Sequence, residues 1–171
     1  MRTLILAALA ALAAATPALA QDYPRRLPSS GGETIIPAPE FQAGYDDYNY
    51  AAARRVGDTL YVSGVIIGRA PGEGNDAAAF EAQTRRAFAV LDRTLRAAGA
   101  TFDDVVIINS FHVWDGPNFT GGRMGHLEVI NKVKAEYIDG PWPAWTAVGT
   151  TALFEETGIV EIQLIAHVGE D

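Results

Sequence analysis

Few side chains in this chain are placed to do chemistry. Glu161 stands in the apolar run of residues 158–168, between Val160 and Ile162. Strand alternation sets it on the face opposite those two neighbours. If that face lines a cleft, the carboxylate can orient or activate an attacking water. Ser63 precedes Gly64 at the end of TLYVSG, but Tyr61 occupies the first glycine position of a Gly-x-Ser-x-Gly elbow, which argues against a serine hydrolase. The histidines, His112, His126 and His167, are too dispersed for a zinc pattern, so no metal is expected. With no cysteine, thiol catalysis, thiolate metal binding and disulfides are excluded. The Gly-rich loop at 68–76 lacks the spacing of either phosphate-binding fingerprint, and no cofactor is expected. Asn118-Phe119-Thr120 is a glycosylation triplet of the kind that arises by chance, and Asp46-Asp47 and Asp103-Asp104 suit turns and caps.

The elements that must position these groups begin near residue 48. AAARRV, a Gly57-Asp58 turn and TLYVSGVI, with Leu60, Val62 and Val65, predict a β-hairpin. Asp76 is a helix cap, and Phe80, Thr84, Phe88, Leu91 and Leu95 recur at helical spacing until Gly99. Arg85, Arg86, Asp92, Arg93 and Arg96 form the polar face. Residues 103–114 predict a buried strand. Met124, Leu127, Ile130, Lys134 and Tyr137 predict a second amphipathic helix, and residues 144–153 and 158–168 two more strands. The order is β-β-α-β-α-β-β, a mixed sheet with both helices on one face. Residues 21–47 are rich in Pro, Gly and Ser without a period and are expected to form a loosely ordered arm.

The chain has 171 residues, enough for one domain with a real core. Residues 1–20 have a charged start at Arg2, an apolar middle and Ala18-Leu19-Ala20 before Gln21, the pattern of a secretory signal peptide cleaved after Ala20. The mature protein would then be secreted or periplasmic. Removing residues 1–20 takes away one of 13 basic and none of 21 acidic side chains, moving the net charge from −8 to −9. Such a balance argues against nucleic-acid and anionic-membrane partners, which are held through positive surface.

Four segments in order, GDTLYVSG (57–64), EAQTRRAFAVLDRTLRAAGATFDDVV (81–106), GPWPAW (140–145) and IVEIQLIAHV (159–168), resemble the RidA/YjgF family of reactive enamine/imine deaminases. The resemblance spans residues 48–168. It implies a chorismate-mutase-like α+β fold and a homotrimer with a ligand cleft at each subunit interface. By the same resemblance the cleft takes Tyr50, Ser63, position 145 and Ala147 as substrate-binding residues and Glu161 as the catalytic carboxylate. The family's Pro-x-Arg arginine, which grips the substrate carboxylate, is Trp145 here, in Pro143-Ala144-Trp145. An indole has one donor and no charge, whereas a guanidinium offers a bidentate, charge-assisted fork. Trp145 therefore makes a flat wall that favours an aromatic or neutral ligand. Arg54 or Arg55 is the alternative source of a cation. The expected function is hydrolytic deamination of a small imine or enamine with altered preference; the alternative is a trimeric small-ligand-binding module without turnover.

Overall fold

The structure is a computed structural model that describes residues 22–169. The expected signal peptide lies outside the described residues, among which no helix is long and apolar enough to cross a membrane. The strands are β1 (Arg25–Ser29), β2 (Gly32–Ile36), β3 (Ala53–Val56), β4 (Thr59–Gly68), β5 (Val105–His112), β6 (Ala144–Gly149) and β7 (Gly158–His167). They form one sheet in the order β1-β2-β3-β4-β7-β5-β6. The β5–β6 pair is parallel and all the others are antiparallel.

Two helices, α2 (Ala77–Ala97) and α3 (Gly122–Lys134), cover one face, after a short α1 (Gln42–Tyr48). Asp76 caps α2 by accepting the Ala79 N–H at 2.8 Å, and Gly99 ends it at φ +82°, where a side chain would be strained. Phe80, Phe88, Leu91 and Leu95 are buried against Leu60, Val62 and Ile67 of β4 and Val160, Ile162, Leu164 and Ala166 of β7. On the polar side Glu81 joins the two helices through Lys132 at 2.7 Å and also pairs with Arg85.

Two expectations change. Residues 22–47 are not a loose arm: β1 and β2 form a hairpin that extends the sheet past β3, turning at Ser30-Gly31 with Gly31 at φ +75°. Ile35 and Ile36 are buried there, and Pro28 is tolerated because β1 is an edge strand. In α3 the inward face is His126, Val129, Ile130, Val133 and Lys134, while Met124 is exposed and Tyr137 lies beyond the helix end. Tyr137 packs there against Phe88 and Phe102.

Neither α2 nor α3 lies on the sheet's other face. Glu161, Gln163 and Ile165 of β7 point that way, together with Phe111 of β5, which pairs directly with Glu161, and Val148 of β6, which pairs with Phe111.

Candidate functional site

The open face gathers three of the expected site residues around Gly64. Chain pairing between β4 and β7 shifts register between Val62 and Val65, and Ser63 and Gly64 occupy that irregularity. Glu161 pairs with Ile66, and its carboxyl group lies over Gly64, where a Cβ would collide with it. Tyr50 arrives from α1, whose end is turned by Asn49 at φ 54°, a left-handed conformation that asparagine tolerates. The Tyr50 N–H returns to the Gly44 carbonyl at 3.0 Å, and its hydroxyl donates to the Gly64 carbonyl at 3.4 Å. Ser63 Oγ donates to the Ala51 carbonyl at 2.8 Å. Burial pushes the Tyr50 phenol above its ordinary pKa; a hydrogen bond with Ser63 opposes the shift and the Glu161 charge adds to it. The phenol is therefore a neutral donor near pH 7.

Glu161 lines a cavity of about 340 Å³ with Phe111, Thr150, Ala152, Leu153 and Phe154. A larger cavity of about 670 Å³, floored by Trp114, shares Thr150, Ala152 and Leu153 with it. A carboxylate at the wall of an apolar recess, with two hydroxyls close by, can hold and deprotonate a water beside a small bound molecule.

Trp145 is not on this face. It pairs with Ile108, whereas Glu161 pairs with Phe111, three residues along β5, so the two side chains leave the sheet on opposite sides. Ala147, two residues on, shares Trp145's side. The Trp145 Nε1–H donates to Ser110 Oγ at 2.8 Å, and Lys134 of α3 sets its Nζ 4.3 Å from the ring centroid. The arginines suggested as substitutes are committed elsewhere. Arg54 donates to the Ser30 carbonyl and Arg55 to the carbonyls of Gly57 and Val168.

Behind Trp145 lies a buried polar cluster that sequence reasoning missed. His112 Nε2 is 2.8 Å from Ser110 Oγ, and His112 Nδ1 is 3.4 Å from His126 Nδ1. The Ser110 hydroxyl accepts the Trp145 N–H and lies 3.4 Å from the Thr146 carbonyl, so it links the indole to the histidine pair. Burial lowers both histidines to about 4, with their mutual repulsion adding to the effect at His112. His126 Nε2 is buried without a partner. The spacing of Ser110 and His112, two apart on a strand, and of His126 and Lys134, eight apart on a helix, was the available signal that each pair shares a face. Among the described residues no group of three or more His, Cys, Asp or Glu could hold a metal ion.

A family model described as Endoribonuclease L-PSP matches residues 43–168. The chain belongs to this family. It is the RidA/YjgF family of the sequence resemblance, and the match begins after β2. Among curated relatives, the RutC family protein YjgH of Escherichia coli is 41% identical over 129 residues, covering 74% of this chain and 88% of its own. A 2-iminobutanoate/2-iminopropanoate deaminase of Dermatophagoides farinae is 30% identical over 119 residues, covering 70% and 85%. The solved structure of YjgH superposes with a TM-score of 0.57 at 38% identity, covering 74% of this chain and 89% of the other. The mixed sheet with helices on one face is thus the RidA/YjgF-type α+β fold.

Proposed function

We propose that this RidA/YjgF protein, after export and signal cleavage, hydrolyses a small imine or enamine to a carbonyl compound and ammonia. The cleft would lie between subunits of a homotrimer. The observation that carries the reading is the Glu161 carboxyl group held over Gly64 beside the Tyr50 and Ser63 hydroxyls, at the wall of an apolar recess. An enamine first takes a proton at carbon to become the iminium. Water attacks the C=N carbon as Glu161 accepts a water proton, a C–O bond forms, and the C=N pair moves to nitrogen. The protonated Glu161 then returns that proton to nitrogen, the C–N bond breaks as the hydroxyl oxygen forms the carbonyl and gives its proton back to Glu161 and on to solvent, and ammonia leaves. One water is consumed per ammonia. Tyr50, kept neutral, donates a hydrogen bond that orients the substrate or the developing hydroxyl.

Because Trp145 and Glu161 leave opposite faces of one sheet, a ligand can touch both only where two copies meet. This supports an interface cleft, with Glu161, Tyr50 and Ser63 from one chain and the Trp145 face from its neighbour. A net charge of −9 after signal cleavage would repel a polyanion, which argues against an RNA substrate. The non-catalytic binding module is the second reading, favoured by Arg54 and Arg55 being turned away from the cleft.

Ammonia release from imines generated in situ by an amino-acid oxidase tests the proposal, with aliphatic and aromatic amino acids and the Glu161→Ala and Trp145→Arg variants. Turnover lost in Glu161→Ala supports the deaminase, and a preference for aromatic substrates makes Trp145 a substrate wall. Silence in the parent and in both variants supports the binding module.

A further inference from the structure

The cavity of about 670 Å³ floored by Trp114 is held open by its own walls, the turn after β5 and the loop between β6 and β7. Asn118 Nδ2 donates to the Glu156 carbonyl at 2.8 Å, and the Thr150 N–H donates to the His112 carbonyl at 2.8 Å. The indole is fixed as well. It stacks on His112 with ring centroids 4.0 Å apart, and its Nε1 edge lies over Gly149, where a Cβ would collide with it.

Charge defines what such a cavity can take. Asp115, Glu155 and Glu156 line it, Glu161 lines the adjoining recess, and among the described residues no Lys, Arg or His lines either one. The cations close by are turned elsewhere. Arg69, whose N–H donates to the Thr157 carbonyl, points its guanidinium at the Glu73 carbonyl, and Lys134 rests on the Trp145 ring. Arg123 is 3.5 Å from Asp115, but both side chains are largely in water. Four carboxylates without a lining cation repel an anion and concentrate a cation. An indole adds to this, being the ring that attracts cations best. A bare metal ion is a poor match, because the acidic side chains do not converge into a ligand set.

The two spaces share Thr150, Ala152 and Leu153, so one small molecule can reach from Trp114 to Glu161. We propose that the substrate is the iminium of a primary amine, a cation without a carboxylate, with its body in the Trp114 cavity and its C=N carbon at Glu161. A carboxylate on the same molecule would cancel that charge and face Glu155 and Glu156. Hydrolysis consumes one water and yields an aldehyde or ketone and ammonium, and oxidation of a primary amine is the class of reaction that must supply the iminium. Such a substrate needs no arginine at position 145. The proposal rests on the deaminase reading for turnover, whereas cation binding stands apart from it.

Calorimetric titration of the protein with 2-phenylethylammonium, 2-phenylethanol and 3-phenylpropanoate reads the charge preference on one body. The amine should bind at least about 10-fold tighter than the alcohol at low salt, and the carboxylate weakest. Removing two of the four carboxylates in Glu155→Gln/Glu156→Gln halves the logarithm of that preference, a loss of about 3-fold or more. The same charge removed far from the cavity, in Asp22→Asn/Glu128→Gln, should leave it unchanged. Equal binding of amine and alcohol, tighter binding of the carboxylate, no binding of the amine, a preference untouched by the cavity pair, or an equal loss in the distant pair would overturn the cation site. Ammonia release is then compared for the imine made from 2-phenylethylamine by a flavin amine oxidase and the imine made from phenylalanine by an amino-acid oxidase. Faster release from the amine-derived imine supports the proposal. Equal release, or faster release from the phenylalanine imine, would overturn the amine-derived substrate and keep the deaminase. Amine binding with no acceleration of either hydrolysis would remove the deaminase and leave the cation site.

Discussion

Replacing Gly64 by alanine should disable the candidate site while leaving the fold intact. A Cβ at this position would stand 2.6 Å from Glu161 Cδ and 2.8 Å from Cγ, and closer still to Oε1. The Gly64 backbone is not among the glycines at positive φ, so alanine is not strained there. The carboxyl group is therefore what has to move. Turning it out of its rotamer costs about 0.5–1.5 kcal/mol. A strand alanine regains about 0.5–1 kcal/mol over glycine, so the thermal midpoint should stay within a few degrees of the parent. Catalysis has no such compensation. Displacing a catalytic group by roughly 1 Å costs on the order of 10²-fold. Ammonia release by Gly64→Ala should accordingly fall about 100-fold, with near-parental unfolding in the same preparation. A Gly64→Ala protein that turns over at the parental rate, while Glu161→Ala does not, would refute the idea that the carboxyl position over Gly64 matters.

Further outcomes follow from the same geometry. The buried histidines have folded-state pKa values near 4 against an ordinary 6.5, so the unfolded chain binds the extra protons first. Stability should hold above about pH 6.5 and decline as pH falls toward 4, by up to about 3 kcal/mol per histidine; urea midpoints against pH should show this, with a shallower decline in His126→Phe. Asp76→Ala removes the cap of α2 and should cost about 1 kcal/mol in a denaturant titration. Leu91→Ala opens the core under that helix and should cost about 2–5 kcal/mol by the same measure.

The legible parts of the chain are those in which local pattern and tertiary packing agree. Asp76, the Phe80-to-Leu95 spacing and Gly99 bounded α2, and Leu60, Val62 and the Gly57 turn gave the β3–β4 hairpin. The first hairpin escaped because Pro28 and the Ser29-to-Gly32 run are turn-rich, whereas what holds it is burial of Ile35 and Ile36 against the rest of the sheet. On α3 the expected Ile130 and Lys134 do face inward, but the face is rotated because polar His126 is buried and apolar Met124 is exposed. At the site, alternation put Glu161 opposite Val160 and Ile162, and Phe111 and the 150–154 loop turn that side into a recess. Nothing in linear spacing could show that Trp145 leaves the sheet on the other side, or that Lys134 comes to rest on it. Those contacts join α3, β5 and β6, which only the fold brings together.

The rate of ammonia release from an in situ generated imine, relative to its uncatalysed hydrolysis, tests the central claim most directly when the parent and Glu161→Gln are compared. The account predicts a clear acceleration by the parent that disappears in Glu161→Gln while thermal unfolding is unchanged. Acceleration that survives in Glu161→Gln would contradict it.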